Sequence, residues 1–257
     1  MKTLKKIYFY LVLLFFYLPI LTLVVFSFNG AKSRGKWGGF SLKWYVELFN
    51  NTDTMDALTT TIVVAILAAL VSTIIGTMAA IGLHKSNALF KSTALNLSYI
   101  PMMNSDIVTG VSLMIMFTAL HVELGFGTLL LSHIAFCIPY VIFSVLPKLQ
   151  QLNNSVIEAA HDLGASSWYA FWKITLPDIM PAVVSGFLMS LTLSIDDFVI
   201  SFFNTGKGIQ NISILVYTSK TGVKPENYAL SSIMFGMVLI LLFIINFKDG
   251  KKKKQNR

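Results

Sequence analysis

An all-α integral membrane protein with six transmembrane helices is the fold class the sequence predicts, and three observations carry it. The 257 residues are 55% hydrophobic and only 12% charged, whereas a soluble domain carries roughly 25% charged residues. Four runs, 7–28, 57–83, 124–146 and 227–247, contain no Asp, Glu, Lys or Arg. Each reaches the ~20 residues that a helix needs to cross ~30 Å of hydrocarbon. The apolar residues are continuous, not alternating, which favours helices over a barrel. Two further runs, 95–120 and 182–203, are as long but carry acids: Asp106 in the first, Asp196 and Asp197 in the second. Pro101, Asn104 and Asp106 make the third span the weakest of the six.

The first run follows Lys2, Lys5 and Lys6, as a signal peptide would. Its apolar part is longer than the ~7–15 residues of a signal core, and no A-x-A-like site follows, so it reads as an uncleaved anchor. The next segment contains FSLKWYVELF, in which Phe40, Leu42, Trp44, Tyr45, Leu48 and Phe49 fit a short helix lying at the membrane interface. Just before it, Gly30 to Lys36 match seven positions of a phosphate-binding loop. Trp37 stands where Ser or Thr should hold magnesium, and a membrane span rather than a strand precedes it. The chain is therefore expected to carry no ATPase of its own.

Span two is rich in small residues: Ala65, Ala68, Ala69, Ser72, Thr73, Gly76, Ala79 and Ala80. Such spacing lets helices approach closely in lipid and places this helix inside a bundle. The connections 84–91 and 121–123 are short, and 204–226 holds Gly206, Gly208, Gly222 and Pro225. Cys137 is the single cysteine and reads as a small apolar packing residue. Histidines 84, 121, 133 and 161 show no ligand spacing, so no metal site is expected; His133 lies within a span, where a functional and a hydrogen-bonded packing role are both open.

Net charge is +8. With six spans both termini share a side, and that side holds 13 Lys and Arg, including Lys85, Lys91, Lys148, Lys173, Lys248, Lys251 to Lys254 and Arg257. The opposite side holds seven: Lys32, Arg34, Lys36, Lys43, Lys207, Lys220 and Lys224. The richer side is assigned to the cytoplasm. The basic tail reads as an orientation signal near anionic lipid, not as a nucleic-acid site.

The segment between spans four and five, about 147–181, is far longer than a connector needs. It reads as helix, turn and helix. Asn153, Asn154 and Ser155 offer N-caps, with Glu158 at the capping-box position relative to Ser155. Val156, Ala159, Ala160 and Leu163 recur at helical spacing, and Gly164 suits a left-handed C-terminal position. Ser166 or Ser167 starts the second helix, with Trp168, Phe171 and Trp172 on one face, and Pro177 and Pro181 are expected to stop it. An amphipathic segment resting on lipid would suit the aromatics. The small, smooth surface of Ala159-Ala160 suits a tight groove instead.

Glu158, Ala159, Ala160, Gly164, Ile174, Leu176 and Pro177 stand at the spacing E-A-A, three residues, G, nine residues, I-x-L-P. This resembles the EAA signature of the membrane subunits of binding-protein-dependent ABC importers. FSLKWYVELF resembles the segment that follows the first span in these permeases. SYIPMMNSDIVTGVS (98–112) and SIDDFVI (194–200) resemble the spermidine/putrescine branch, in its PotC-type subunit. Thr59-Thr60-Thr61 departs from the Asn-Ser pair of many members, and the lysine-rich tail is unusual.

The resemblance implies a single type I ABC importer permease domain, 1–257, in a bacterial cytoplasmic (inner) membrane, importing polyamines. It implies that Glu158 to Pro177 form a coupling helix docked in a groove of a separate ATPase. The implied partners are a second permease, two ATPase subunits and an extracytoplasmic binding protein. The chain itself would be non-catalytic and hold no cofactor, ATP and magnesium being bound by the ATPase. Asp106, Asp196 and Asp197 are the candidate substrate-pathway residues, because carboxylates within spans are costly and usually functional. Adjacent residues point ~100° apart on a helix, so Asp196 and Asp197 cannot both face a pathway squarely. The alternatives are an importer for another small solute (an amino acid, an opine-like cation or iron), an ion-gradient-driven secondary transporter, and a non-transporting scaffold.

Overall fold

The apolar runs 7–28, 57–83 and 124–146 each fold largely within one long helix. The computed structural model describes residues 2–32, 36–218, 224–236 and 239. Four of its helices are long and apolar enough to cross a membrane, and a bent pair makes a fifth candidate. Among the described residues the only extended pairing is an isolated antiparallel bridge between Asn29 and Phe40. Ser33, Arg34 and Gly35 of the phosphate-loop match, Lys220, Gly222, residues 237–238 and 240–247 of the expected sixth span, and the lysine tail lie outside the described residues. Contacts gather the chain into two compact units, Met1–Met55 with Val216–Arg257, and Asp56–Leu215.

In the first unit, α1 (Lys2–Ser27) exposes its apolar side chains, Phe15 at 74% and Phe16 at 66%. Asn29 shapes the corner that follows. Its Oδ1 accepts from Gly38 N (2.7 Å) and Ala31 N (3.2 Å), its Nδ2 donates to Lys36 O (2.9 Å), and its carbonyl accepts from Trp44 Nε1 (2.6 Å). Gly30, the first glycine of the phosphate-loop match, thus follows directly on a corner held by one asparagine, its N–H donating to Gly39 O (2.9 Å). The short helix expected in FSLKWYVELF is α2 (Lys43–Asn50), which buries Trp44 and Leu48; Phe49 on it and Phe40 before it are exposed. Residues 225–236 are helical and bury Glu226, Ala229 and Leu230. Glu226 is held by Asn51 Nδ2 (3.2 Å) and Lys224 Nζ (3.4 Å).

The second unit is built around α3 (Thr52–Lys85, counted here from Asp56), α6 (Phe126–Gln150) and α9 (Leu176–Asp196). The small-residue stripe of α3 is buried as expected, with Ala65, Ala68, Ala69, Ser72 and Ala80 at 0% exposure. Gly76 shows why: a Cβ there would stand 2.7 Å from Val141 Cβ, so only glycine permits the approach of α3 to α6. Ala80, Leu83, Val141, Val145, Leu149 and Ile179 form the shared core. Ser144 Oγ donates to Ala182 O (2.9 Å) across the α6–α9 contact.

Three expected boundaries need correction. The run 95–120 is not one helix. It is divided between α4 (Ala88–Met103) and α5 (Asp106–Ala119), which meet at 107°. Asn104 and Ser105 are extended, and Ser105 caps α5 through Ile107 N (3.4 Å). The run 182–203 is also interrupted, between α9 and a short α10 (Val199–Asn204). The loop 147–181 is shorter than expected. Helix α6 continues through Pro147 to Gln150, and Pro177 and Pro181 do not stop the chain before the membrane-length helix. Between α6 and Ser167 lies α7 (Asn154–Asp162). From Ser167 to Asp196 the chain is helical without a break, through α8 (Ser167–Ala170), a π-helical turn (Phe171–Thr175) and α9. In the π turn Leu176 N–H donates to Phe171 O, five residues back. That wider turn absorbs the missing N–H and ring bulk of Pro177. The 204–226 loop holds a further helix, α11 (Ile212–Thr218).

Candidate functional site

At one end of the second unit lies the patterned segment. Asn153, not Ser155, caps α7: its Oδ1 accepts from Ser155 N (3.1 Å) and from Ser155 Oγ (2.6 Å). An asparagine carbonyl reaches the N–H two residues on, which places the cap earlier and leaves Glu158 outside a capping box. The Glu158 carboxylate is exposed, as is Ala159, while Ala160 is half-buried. Gly164 ends the helix with φ +84°, the left-handed conformation expected of it. Ala165 N–H donates to Ala160 O (2.9 Å) and Gly164 N–H to His161 O (2.9 Å) around that turn. Ser166 caps the next helix through Tyr169 N (3.3 Å). Trp168, Phe171 and Trp172 cluster together as their spacing predicts, Trp172 edge-on to both of the others.

Of the periodic apolar positions, Val156, Ala159 and Leu163 are turned outward, and Ala160 is half-buried. Val156 is 50% exposed and Leu163 89%, and beside them stand Trp168 at 71% and Tyr169 at 57%. Such an exposed apolar face suits contact with a partner surface or with lipid. Ile174 and Leu176 are half-buried at the foot of α9, Leu176 against the α3–α6 core, and Pro177 is exposed. A cavity of about 340 Å3 lies behind α7, lined among others by Ile81, His84, Leu149, Ile157, His161 and Phe171.

The three candidate pathway acids are not alike. Asp106 is exposed at the first turn of α5, just past the 107° bend, where the helix dipole favours an acid. It is not a mid-helix group. Asp196 is exposed at the last residue of α9. Asp197 is turned inward, with its side chain 6% exposed. Its Oδ1 accepts from Ile200 N (3.1 Å), and its Oδ2 from Ser201 N (2.7 Å) and Ser201 Oγ (2.8 Å). The carboxylate thus caps α10 across the helix break.

His133, for which the sequence left a functional and a hydrogen-bonded role open, completes this cluster together with residues the sequence did not single out. His133, 2% exposed, contacts Ser194 Oγ through Nδ1 (2.6 Å) and Ser201 Oγ through Nε2 (2.9 Å), and Nε2 lies 3.5 Å from Asp197 Oδ2. Asn211 Nδ2 donates to Ser201 Oγ (2.8 Å). Asn204 Nδ2 donates to Gly110 O (3.1 Å), and Thr128 Oγ1 to Asn204 O (2.8 Å). One polar network therefore ties α5, α6, α9, α10 and the start of α11 together. The signal was there in part: Ser190, Ser194, Asp197 and Ser201 recur at three- and four-residue spacing in an apolar run. Among the described residues no group of His, Cys, Asp and Glu could hold a metal ion.

Residues 72–247 match the family described as the binding-protein-dependent transport system inner membrane component, and the chain belongs to that family, whose work is transport across a membrane and not catalysis. It is thus a multi-pass membrane protein of the inner-membrane type. Among curated relatives it is 37% identical over 94% of its length to the spermidine/putrescine transport system permease protein PotC of Escherichia coli (strain K12), 92% of which is covered. It is 39% identical to the PotC protein of Haemophilus influenzae, over 94% of each chain, and 38% identical to the putrescine transport system permease protein PotI of E. coli, over 94% of this chain and 89% of that one. Two solved structures share the fold at 16% identity. One is a bacterial alginate ABC transporter in complex with an alginate pentasaccharide-bound periplasmic protein (TM-score 0.65, 95% of this chain and 90% of that one). The other is a bacterial ABC transporter involved in the import of alginate (TM-score 0.67, 96% and 93%).

Proposed function

We propose that this chain is the membrane-spanning permease subunit of an ATP-driven, binding-protein-dependent importer of polyamines. The observation that carries the cargo is its similarity, along nearly its whole length, to relatives named for spermidine and putrescine transport. Its own acids suit a cationic cargo: Asp106 and Asp196 are exposed, and no Lys or Arg lies in 95–120 or 182–203 to neutralise them.

The chain has six spans in this reading, in the type I importer arrangement, the bent α4–α5 pair serving as the third. It pairs with a second permease, two ATPase subunits and an external binding protein. ATP and magnesium are handled by the ATPases. Helix α7 is the coupling helix, and the outward Val156 on it, Leu163 just after it and Trp168 on α8 meet an ATPase groove. Glu158 pairs with a basic group there. ATPase closure moves α7, and the membrane helices follow into the alternate access state.

Reconstitution of the four-component complex in vesicles tests the cargo. ATP-dependent accumulation of labelled spermidine or putrescine is expected, with none of a neutral amino acid or of ferric iron. Accumulation of either of those without polyamine would replace the substrate class.

Orientation has its own test. Charge placement puts both termini and α7 in the cytoplasm. Ser167 and Lys207 are both exposed. In a Cys137→Ala background, Ser167→Cys should resist a membrane-impermeant thiol reagent in intact cells and Lys207→Cys should react. The opposite pattern inverts the topology.

A further inference from the structure

We propose that His133 is a positioning residue of the transport pathway: as an Nε2–H imidazole it locks Asp197 into the break between α9 and α10, and so fixes where the adjoining Asp196 is presented. The proposal rests on the transport reading for one of its two readouts and is independent of it for the other.

The hydrogen bonds assign the tautomer. Ser201 Oγ has one proton and two lone pairs. Its proton goes to Asp197 Oδ2, at 2.8 Å. The hydroxyl oxygen must then accept from its two other neighbours, Asn211 Nδ2 (2.8 Å) and His133 Nε2 (2.9 Å). His133 Nε2 therefore bears the hydrogen. In the neutral ring Nδ1 is then the acceptor, and Ser194 Oγ–H supplies its proton at 2.6 Å. The chain of donors runs one way, from Ser194 to His133 to Ser201 to Asp197, and each group in it is satisfied.

Asp197 has no Lys or Arg for a counter-charge in 95–120, 124–146 or 182–203. Its carboxylate is held by N–H and O–H donors alone, and such a site works only while every donor is aimed. His133 aims the central one. It stands on α6 and contacts Ser194 before the break and Ser201 after it. It therefore spans the joint whose two sides orient Asp196 and α10.

The test uses the assembled complex and three variants. His133→Leu removes both ring contacts. His133→Gln replaces them, because an amide offers one acceptor and one donor about as far apart as the ring nitrogens. Ser201→Ala breaks the same relay with little change of volume. The first readout needs no cargo: the reaction rate of Asp196→Cys with a charged thiol reagent, in a Cys137→Ala background. The second is the maximal rate and KM of labelled spermidine uptake. His133→Leu and Ser201→Ala should shift the thiol rate several-fold and lower maximal uptake about tenfold, the effect of losing a hydrogen bond to a charged network. His133→Gln should restore both. Unchanged thiol rates in His133→Leu and Ser201→Ala overturn the proposal. So does a His133→Gln complex that assembles normally yet behaves like His133→Leu. If spermidine is not the cargo, uptake fails in every arm, the parent included, while the thiol rates still follow the Leu, Ala and Gln pattern.

Discussion

Gly164→Val and Glu158→Lys should each abolish ATP-driven uptake while the subunit remains in the membrane. Gly164 has φ +84°, and a Cβ added there would meet nothing within 4 Å, so the obstacle to valine is the backbone and not space. A β-branched residue in that region is strained by ~1–3 kcal/mol, which the turn escapes by leaving the left-handed conformation. The bonds from Gly164 N to His161 O and from Ala165 N to Ala160 O would be lost with it. Helix α7 would then swing relative to α8. Gly164→Ala, with less crowding, should retain part of the activity. Glu158 is exposed and makes no ion pair among the described residues, so lysine there should not unfold the chain. Its reversal would put like charges together at the ATPase groove. Membrane insertion by immunoblot and uptake of labelled spermidine check both variants. Normal transport in the two would remove the coupling role from α7.

Asp196→Asn and Asp197→Asn should both cut polyamine uptake severely, but by different routes. Asp196 is exposed, and its loss should leave assembly and the docking of loaded binding protein intact. Asp197 serves three donors. Asparagine keeps one acceptor oxygen and brings two hydrogens into a site made of donors, at ~1.5–3 kcal/mol for each charge-assisted bond weakened. That variant should lower both uptake and the thermal midpoint of the purified complex. Asp106→Asn should do less than either. Uptake at the parent rate in the Asp196→Asn, Asp197→Asn double variant would sink the cationic passage, and an unchanged midpoint in Asp197→Asn would contradict the capping role.

What the sequence made legible was local or contiguous. The turn at Gly164, the aromatic cluster of Trp168, Phe171 and Trp172, and the buried stripe of α3 all follow from spacings of a few residues. The breaks were harder. Hydropathy averaged over 95–120 hides Ser105-Asp106, although a Ser cap followed by an acid is a helix start. Pro177 and Pro181 signal a stop, and the π turn that accommodates Pro177 has no sequence signature of its own. The polar spacing in α9 and α10 and the position of His133 within a span were visible, but the connections of the His133 network were not. Its partners lie 61 and 68 positions away, and only the packing of α6 on α9 and α10 brings them together. Adjacency on a helix already separates Asp196 from Asp197, but only that packing decides which of the two turns inward.

The uninterrupted helix from Ser167 to Asp196 has a consequence for timing. At 1.5 Å per residue, its 30 residues span ~45 Å without a break in the helix. A rod of that kind has no slack. While the π turn keeps its register, a displacement applied at Trp168 reaches Asp196 in phase, and a twist about the axis turns both ends by the same angle. The one compliant place is the π turn, whose wider hydrogen-bond ring tolerates rewinding by a residue. Rewinding there would rotate everything beyond it by ~100° and bring a different face of α9 toward α6. Synchrony between the two ends of this helix is thus a property of one element, and the register of five residues at its foot sets it.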